Sequence, residues 1–244
     1  MISPWLRKKN GRKWFITPKA IELSIEAEAD ILLACQEAHF YGIETINLGS
    51  EISGLGHVKN NDFTLFISDI IIPEQTNSRI HTALVHGDME RIQALLREAG
   101  KHADEYICWW HSHVTGDAVF SDKDELTIGS LLPFILTDVH LSLLAKGKDV
   151  PEETYAGPFV SIVANVQKEM FARCDFIYRN GGHYETQRNE NIPIIRKIPA
   201  LTDKERLRIR DERYPRIQQI VRDRLTLTFV DIRSKINTQL EDTL

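Results

Sequence analysis

Two histidines set one residue apart, His111 and His113, close a hydrophobic run that begins at Tyr106, and no other feature limits the possible folds of this chain as tightly. The run reads as a buried strand. In an extended strand, residues two apart point to the same face, so both imidazoles are delivered to one place. Seven residues later comes a Ser-x-x-Asp pattern, Ser121 to Asp124. Ser121 suits a helix cap, and Asp124 falls in the first turn of a helix predicted over Ser121–Leu132. A strand followed by such a helix, folded back on it, sets a carboxylate beside the two rings. Alone, Ser121-x-x-Asp124 is no more than a capping motif; beside the histidines it can serve both ends. Chance gives these four residues at these offsets in about one chain in a thousand of this composition.

Two neutral imidazoles and one carboxylate form a donor set that suits Zn²⁺. Three protein ligands leave a fourth tetrahedral position for water, the pattern of a catalytic rather than a structural site. Such a site also needs a general base near the water but off the metal. From the residues alone several acids qualify, Glu51 and Glu44 among them. The remaining histidines (His39, His57, His81, His86, His102, His140 and His183) read as ordinary packed or solvated residues. Cys108 falls on the strand face away from the histidines, which argues against a thiol nucleophile. Trp109 and Trp110 fall on opposite faces, one for the core and one near the site. HExxH, PCxxC, GxxxxGK and GxSxG patterns do not occur.

The rest of the chain reads as an α+β body with a helical tail. Short strands are predicted at Ala20–Ser24, Glu51–Val58, Phe63–Ile72, His140–Ala145, Phe159–Val166 and Phe171–Tyr178, with 51–72 as an antiparallel hairpin. Helices are predicted from about Glu26 to Tyr41, stopped by Gly42, and over Asp88–Ala99, stopped by Gly100. Gly54 and Gly56 mark a close backbone approach. After 196 the composition changes: Thr202 and Glu205 make a capping box, and Ile217, Ile220, Val221 and Leu225 form a stripe beyond Pro215, read as a helical hairpin. The resulting division is a body over 14–195 and a basic extension over 196–244.

His111-Ser112-His113, Ser121 and Asp124, with Glu51-Ile52-Ser53-Gly54-Leu55-Gly56 upstream, resemble the signature of the JAMM metalloproteases, also called JAB or MPN-plus domains. Trp109–His113 and Phe159–Arg173 are similar to strands of that family, and the likeness runs over roughly 18–180. The resemblance implies a layered, cytidine-deaminase-like mixed sheet flanked by helices. It implies that His111, His113 and Asp124 ligate Zn²⁺, that Glu51 acts as the base on the attacking water, and that Ser121 donates to the oxyanion. It further implies cleavage of the amide bond after the C-terminal glycine of ubiquitin or a ubiquitin-like protein, in deconjugation or precursor processing, with ubiquitin-like activating or conjugating enzymes as possible companions. An amino-acid adduct of a sulfur-carrier protein is the alternative substrate. Asp117 places a charge where many relatives have less, which bears on substrate preference. The segments near 73–87 and 146–158 are candidates for shaping the substrate groove.

Charge is unevenly spread. Residues 14–195 carry 13 Lys/Arg against 27 Asp/Glu, while residues 196–235 carry 12 against 6. Basic ends on an acidic body can dock to the body itself, to an acidic partner or to nucleic acid; a scaffold or nucleic-acid role through the tail is the non-enzymatic alternative. Three scattered cysteines fit a reducing, cytoplasmic setting, and no apolar run reaches membrane-spanning length.

Overall fold

The computed structural model describes residues 5–9, 12–77, 105–114, 116–145, 155–180 and 183–227, with isolated positions from 92 to 100 and Gly147. Strands β1 (Leu6–Lys9) and β2 (Arg12–Phe15) form a small hairpin. The main sheet is built from β3 (Ala20–Leu23), β4 (Ser53–Asn61), β5 (Thr64–Ile71), β7 (Cys108–His113), β8 (Tyr155–Asn165), β9 (Met170–Asn180), β10 (His183–Asn189) and β11 (Ile194–Ile195). Their order across the sheet is β10-β9-β8-β7-β4-β5-β3-β11. Neighbours β7 and β8 run parallel, whereas β4 is antiparallel to both β5 and β7. A short β6 (Gln75–Asn77) pairs in parallel with β12 (Leu225–Leu227).

Helices α1 (Ile25–Ile46) and α2 (Asp122–Ala145) follow β3 and β7, and α3 (Asp203–Arg224) precedes β12. The sheet separates two cores. One includes α1 residues Ile31, Ala34 and Cys35 with Trp110, Ile162 and Val160; the other includes α2 residues Ile128, Leu131 and Leu132 with Trp109, Leu55 and Phe159. Alternation along β7 is what sorts the two tryptophans, as a strand's period of two requires. Both rings are fully buried, Trp109 on the histidine side and Trp110 on the other.

Several expectations need correction. Helix α1 does not stop at Gly42; it runs on to Ile46 and closes at Asn47, which takes the left-handed conformation. Gly42 instead makes room for the returning chain, since a Cβ there would lie 2.5 Å from the Leu48 carbonyl oxygen. His140–Ala145 is the end of α2 and not a strand, because a short leucine- and alanine-rich segment without β-branched residues continues a helix more readily than it starts a strand. The tail is one helix through Pro215, not a hairpin: anchors at Arg213 and Arg222 hold both sides of the proline to α1. Of the helix expected over Asp88–Ala99, Ile92 and Leu96 are helical and buried; its other positions lie largely outside the described residues, as do 78–87 and most of 146–154. Among the described residues no helix is long and apolar enough to cross a membrane.

The basic extension docks on the acidic body. Glu28, Asp30 and Glu37 of α1 are buried. Glu28 accepts from Arg196 Nε at 2.8 Å and from the backbone N–H groups of Lys197 and Ile198. Asp30 accepts from Arg213 and Arg216, and Glu37 from Tyr214 and Arg222. A capping box between Thr202 and Glu205 starts α3, as its sequence predicts.

Candidate metal centre

β7 carries the two histidines and the first turn of α2 carries the acid. His111 Nε2 lies 3.0 Å from Asp124 Oδ1, His113 Nε2 lies 3.3 Å from Asp124 Oδ2, and the two Nε2 atoms are 3.2 Å apart. Trp109, two residues back on the same face, stacks on the His111 ring at 4.3 Å and 14° and fixes its plane. Ser121 holds the acid: its backbone N–H and its hydroxyl donate to Asp124 Oδ2 at 2.7 and 2.8 Å. Its own hydroxyl accepts from the Asp124 N–H, so the capping role and the site role coexist.

Glu51 stands at the entrance to β4, directly beside β7. The pairing of Ser53 with His111, extended by the Ser112 N–H to the Ile52 carbonyl, fixes that neighbourhood. The Ser112 hydroxyl also accepts from the Ile52 N–H at 2.9 Å. Glu51 is near enough to His113, Asp124 and Lys123 to feel their charges. Gly54 permits this close packing, since a Cβ there would meet the Ile71 carbonyl oxygen at 2.2 Å and Trp110 at 2.7 Å.

The electrostatics follow from burial and crowding. Burial pushes the Glu51 carboxyl up to about 7, with Asp124 adding to the rise and His113 opposing it. Burial holds the His111 imidazole below its ordinary value, so it is neutral with a lone pair to offer. His113 is moved upward, chiefly by its contact with Asp124. Burial would raise Asp124, but contacts with both imidazoles and with Ser121 outweigh it and bring the acid well below the usual carboxylate range.

Three lone-pair atoms thus face one another, one from each of three residues, all within 4.8 Å. A tetrahedral ion held by N and O donors at about 2.0–2.1 Å has ligand atoms about 3.3 Å apart. The 3.2 Å between the two imidazole nitrogens fits that figure, each imidazole has one oxygen of the Asp124 carboxylate at 3.0 or 3.3 Å, and the chemistry of the donor set suits a metal as well. His111, His113 and Asp124 are therefore suited to hold a metal ion. A profile described as prokaryotic homologs of the JAB domain matches residues 49–175, just over half of the chain, from Glu51 through both histidines to β9. The chain belongs to the prokaryotic JAB family. Its α+β sheet with flanking helices is the architecture expected of a JAB domain. No curated protein matches the chain significantly.

Three residues that support the JAB site were not singled out from the sequence. Ser112, between the histidines, ties β7 to the backbone next to Glu51. Arg173 on β9 is fully buried, pairs with Glu125 beside Asp124 and with Asp175 at 2.9 Å, and lies 5.0 Å over the Phe120 ring. It braces the start of α2; an arginine two positions before an aspartate in a largely apolar strand was the only signal for it. Gln75 reaches Ser53 on β4. His57 stands apart, bridging Ser68 and Glu105 on the β5 side, and Glu44 lies near the end of α1, paired with Arg222.

Proposed function

We propose that this chain is a zinc-dependent peptidase that cleaves the amide bond after the C-terminal glycine of ubiquitin or a ubiquitin-like protein. The observation that carries the reading is the convergence of two imidazole nitrogens and one carboxylate within 4.8 Å of one another, beside a partly buried glutamate at the start of the adjacent strand. When bound by His111, His113 and Asp124, zinc supplies Lewis-acid activation of a carbonyl and lowers the pKa of water to near neutrality.

The side chains divide the remaining work. Glu51, with its carboxyl raised toward neutral pH, takes a proton from the attacking water and passes it to the leaving nitrogen, which departs as an amine. A base poised near the working pH suits both halves of that transfer. Ser121 sits exposed at the rim, its hydroxyl proton given to Asp124 at rest; turned from Asp124, which keeps the Ser121 N–H, that proton serves a carbonyl oxygen that gains charge, and one such donor is worth roughly 3 kcal/mol. Trp109 keeps the His111 ring from rotating, and the Ser121 contacts keep the carboxylate aimed. An extended, small-residue tail suits a narrow approach along a strand edge. In the extension, Arg196, Arg213, Arg216 and Arg222 pair with carboxylates of α1, which accounts for part of its basic charge without nucleic acid.

The test compares wild-type protein with Glu51→Gln, both loaded with zinc, on a fluorogenic ubiquitin C-terminal amide. Glu51→Gln is expected to retain one zinc per chain and lose at least about a thousandfold in rate, in line with removal of an essential base. Full activity in the variant overturns the role of Glu51. No hydrolysis of any ubiquitin-type amide by zinc-loaded wild type overturns the substrate assignment.

A further inference from the structure

The ladder between β4 and β5 ends in an unusual way beside the metal centre. Its register pairs Leu55 with Ile71, and carried two residues further it sets Ser53 against Pro73, which has no N–H to give. The chain leaves the sheet there. Yet Ser53 is fully buried and its outward N–H and carbonyl are both satisfied. Gln75 does this with its side chain: Ser53 N–H donates to Gln75 Oε1 at 2.9 Å, and Gln75 Nε2 donates to the Ser53 carbonyl at 2.9 Å. The Ser53 hydroxyl adds a third contact at 3.2 Å, and Nε2 also reaches the Pro73 carbonyl.

A primary amide used in this way presents one carbonyl and one N–H to a strand edge, the same pair that a residue of an extended peptide presents. Ser53 lies opposite His111 in the β4–β7 ladder and two residues from Glu51, so a peptide docked on the other edge of β4 lies one strand beyond β7 and passes the start of β4, where Glu51 stands. The plug is set by the extension. β12 pairs with β6, Leu225 facing Gln75, and Arg224 donates to the Ile72 carbonyl.

We infer that Gln75 is a displaceable plug on the β4 edge, and that the extended tail of the substrate replaces its amide at Ser53. The inference rests on the peptidase reading above and names the strand that recognises the tail. A site closed most of the time binds with an affinity reduced by its open fraction, so the plug sets apparent affinity without entering the chemistry.

The test uses the full chain, zinc-loaded and carrying Glu51→Gln so that nothing turns over, with a blocked peptide of the last six residues of ubiquitin as probe. Gln75→Ala and the length-matched Gln75→Met are each expected to bind it about fivefold tighter or more. Hydrogen exchange at the Ser53 amide is expected to speed up in both variants and slow again with peptide. Unchanged or weaker binding, or peptide that leaves Ser53 exchange untouched, overturns the inference. If zinc-loaded wild type hydrolyses a ubiquitin amide while these results fail, the plug is wrong and the peptidase reading stands. If no ubiquitin-type amide is hydrolysed, both fall.

Discussion

The buried carboxylates of α1 and the one at the mouth of the β7–α2 unit are resolved in opposite ways. On α1, Glu28, Asp30 and Glu37 are met by arginines, a tyrosine and backbone N–H groups from the extension. At the mouth of the β7–α2 unit, Asp124 meets two imidazoles that also face each other at 3.2 Å. Every anion in the first set has a fixed cation from its own chain. The second set gathers electron pairs and supplies no permanent positive charge to match them. The first arrangement is what a protein uses to join two elements; the second is what it uses to receive an ion.

That contrast can be broken experimentally, beginning with the centre. His113→Ala is expected to abolish stoichiometric zinc binding, measured by metal analysis, and to lower peptidase activity at least about a thousandfold, while leaving the α1–α3 junction intact. The junction should respond in the reverse sense. Glu28→Ala strands the N–H groups of Lys197 and Ile198 along with Arg196, and is expected to cost about 3 kcal/mol in denaturant unfolding with zinc stoichiometry unchanged. A zinc deficit in that variant at full folding would erase the distinction between the two regions.

Acid–base behaviour sharpens it further. In the metal-free protein the Glu51 carboxyl is raised from 4.5 to about 7 by burial. The folded chain then keeps a proton that the unfolded chain releases, so the contribution of this group to stability is fully present below pH 4.5 and is lost as the pH climbs toward 7, by on the order of 2 kcal/mol. Glu51→Gln should flatten this slope, read from unfolding midpoints across the range. The smallest effect is local: Thr202→Ala removes the cap of α3 and should lower stability by about 1 kcal/mol, with faster amide exchange confined to the first turn.

Much of this was legible from residue spacing. His-x-His on a strand and Ser-x-x-Asp at a helix start impose their own geometry, so the centre was predictable from the chain, and the capping box at Thr202 was equally local. Charge segregation announced a docking surface but not its identity, because which acids meet which arginines depends on pairs some 168 to 186 positions apart. Two of the corrected elements share a cause. Gly42 and Pro215 are breakers by intrinsic preference, yet each sits inside a helix whose packing outweighs it. Gln75 was invisible because a side chain imitating a strand leaves no periodic trace.

The separation of partners across the α1–α3 junction also has a consequence for biogenesis. Ribosomes add roughly 5–20 residues each second, so the nascent α1 segment waits on the order of 10–40 s for the arginines that neutralise it. During that delay its apolar side gains strands to settle on as they emerge, while its acidic side stays wet. Closure of this junction therefore waits until the extension has been made, and the extension acts as the clasp that fastens α1 in place.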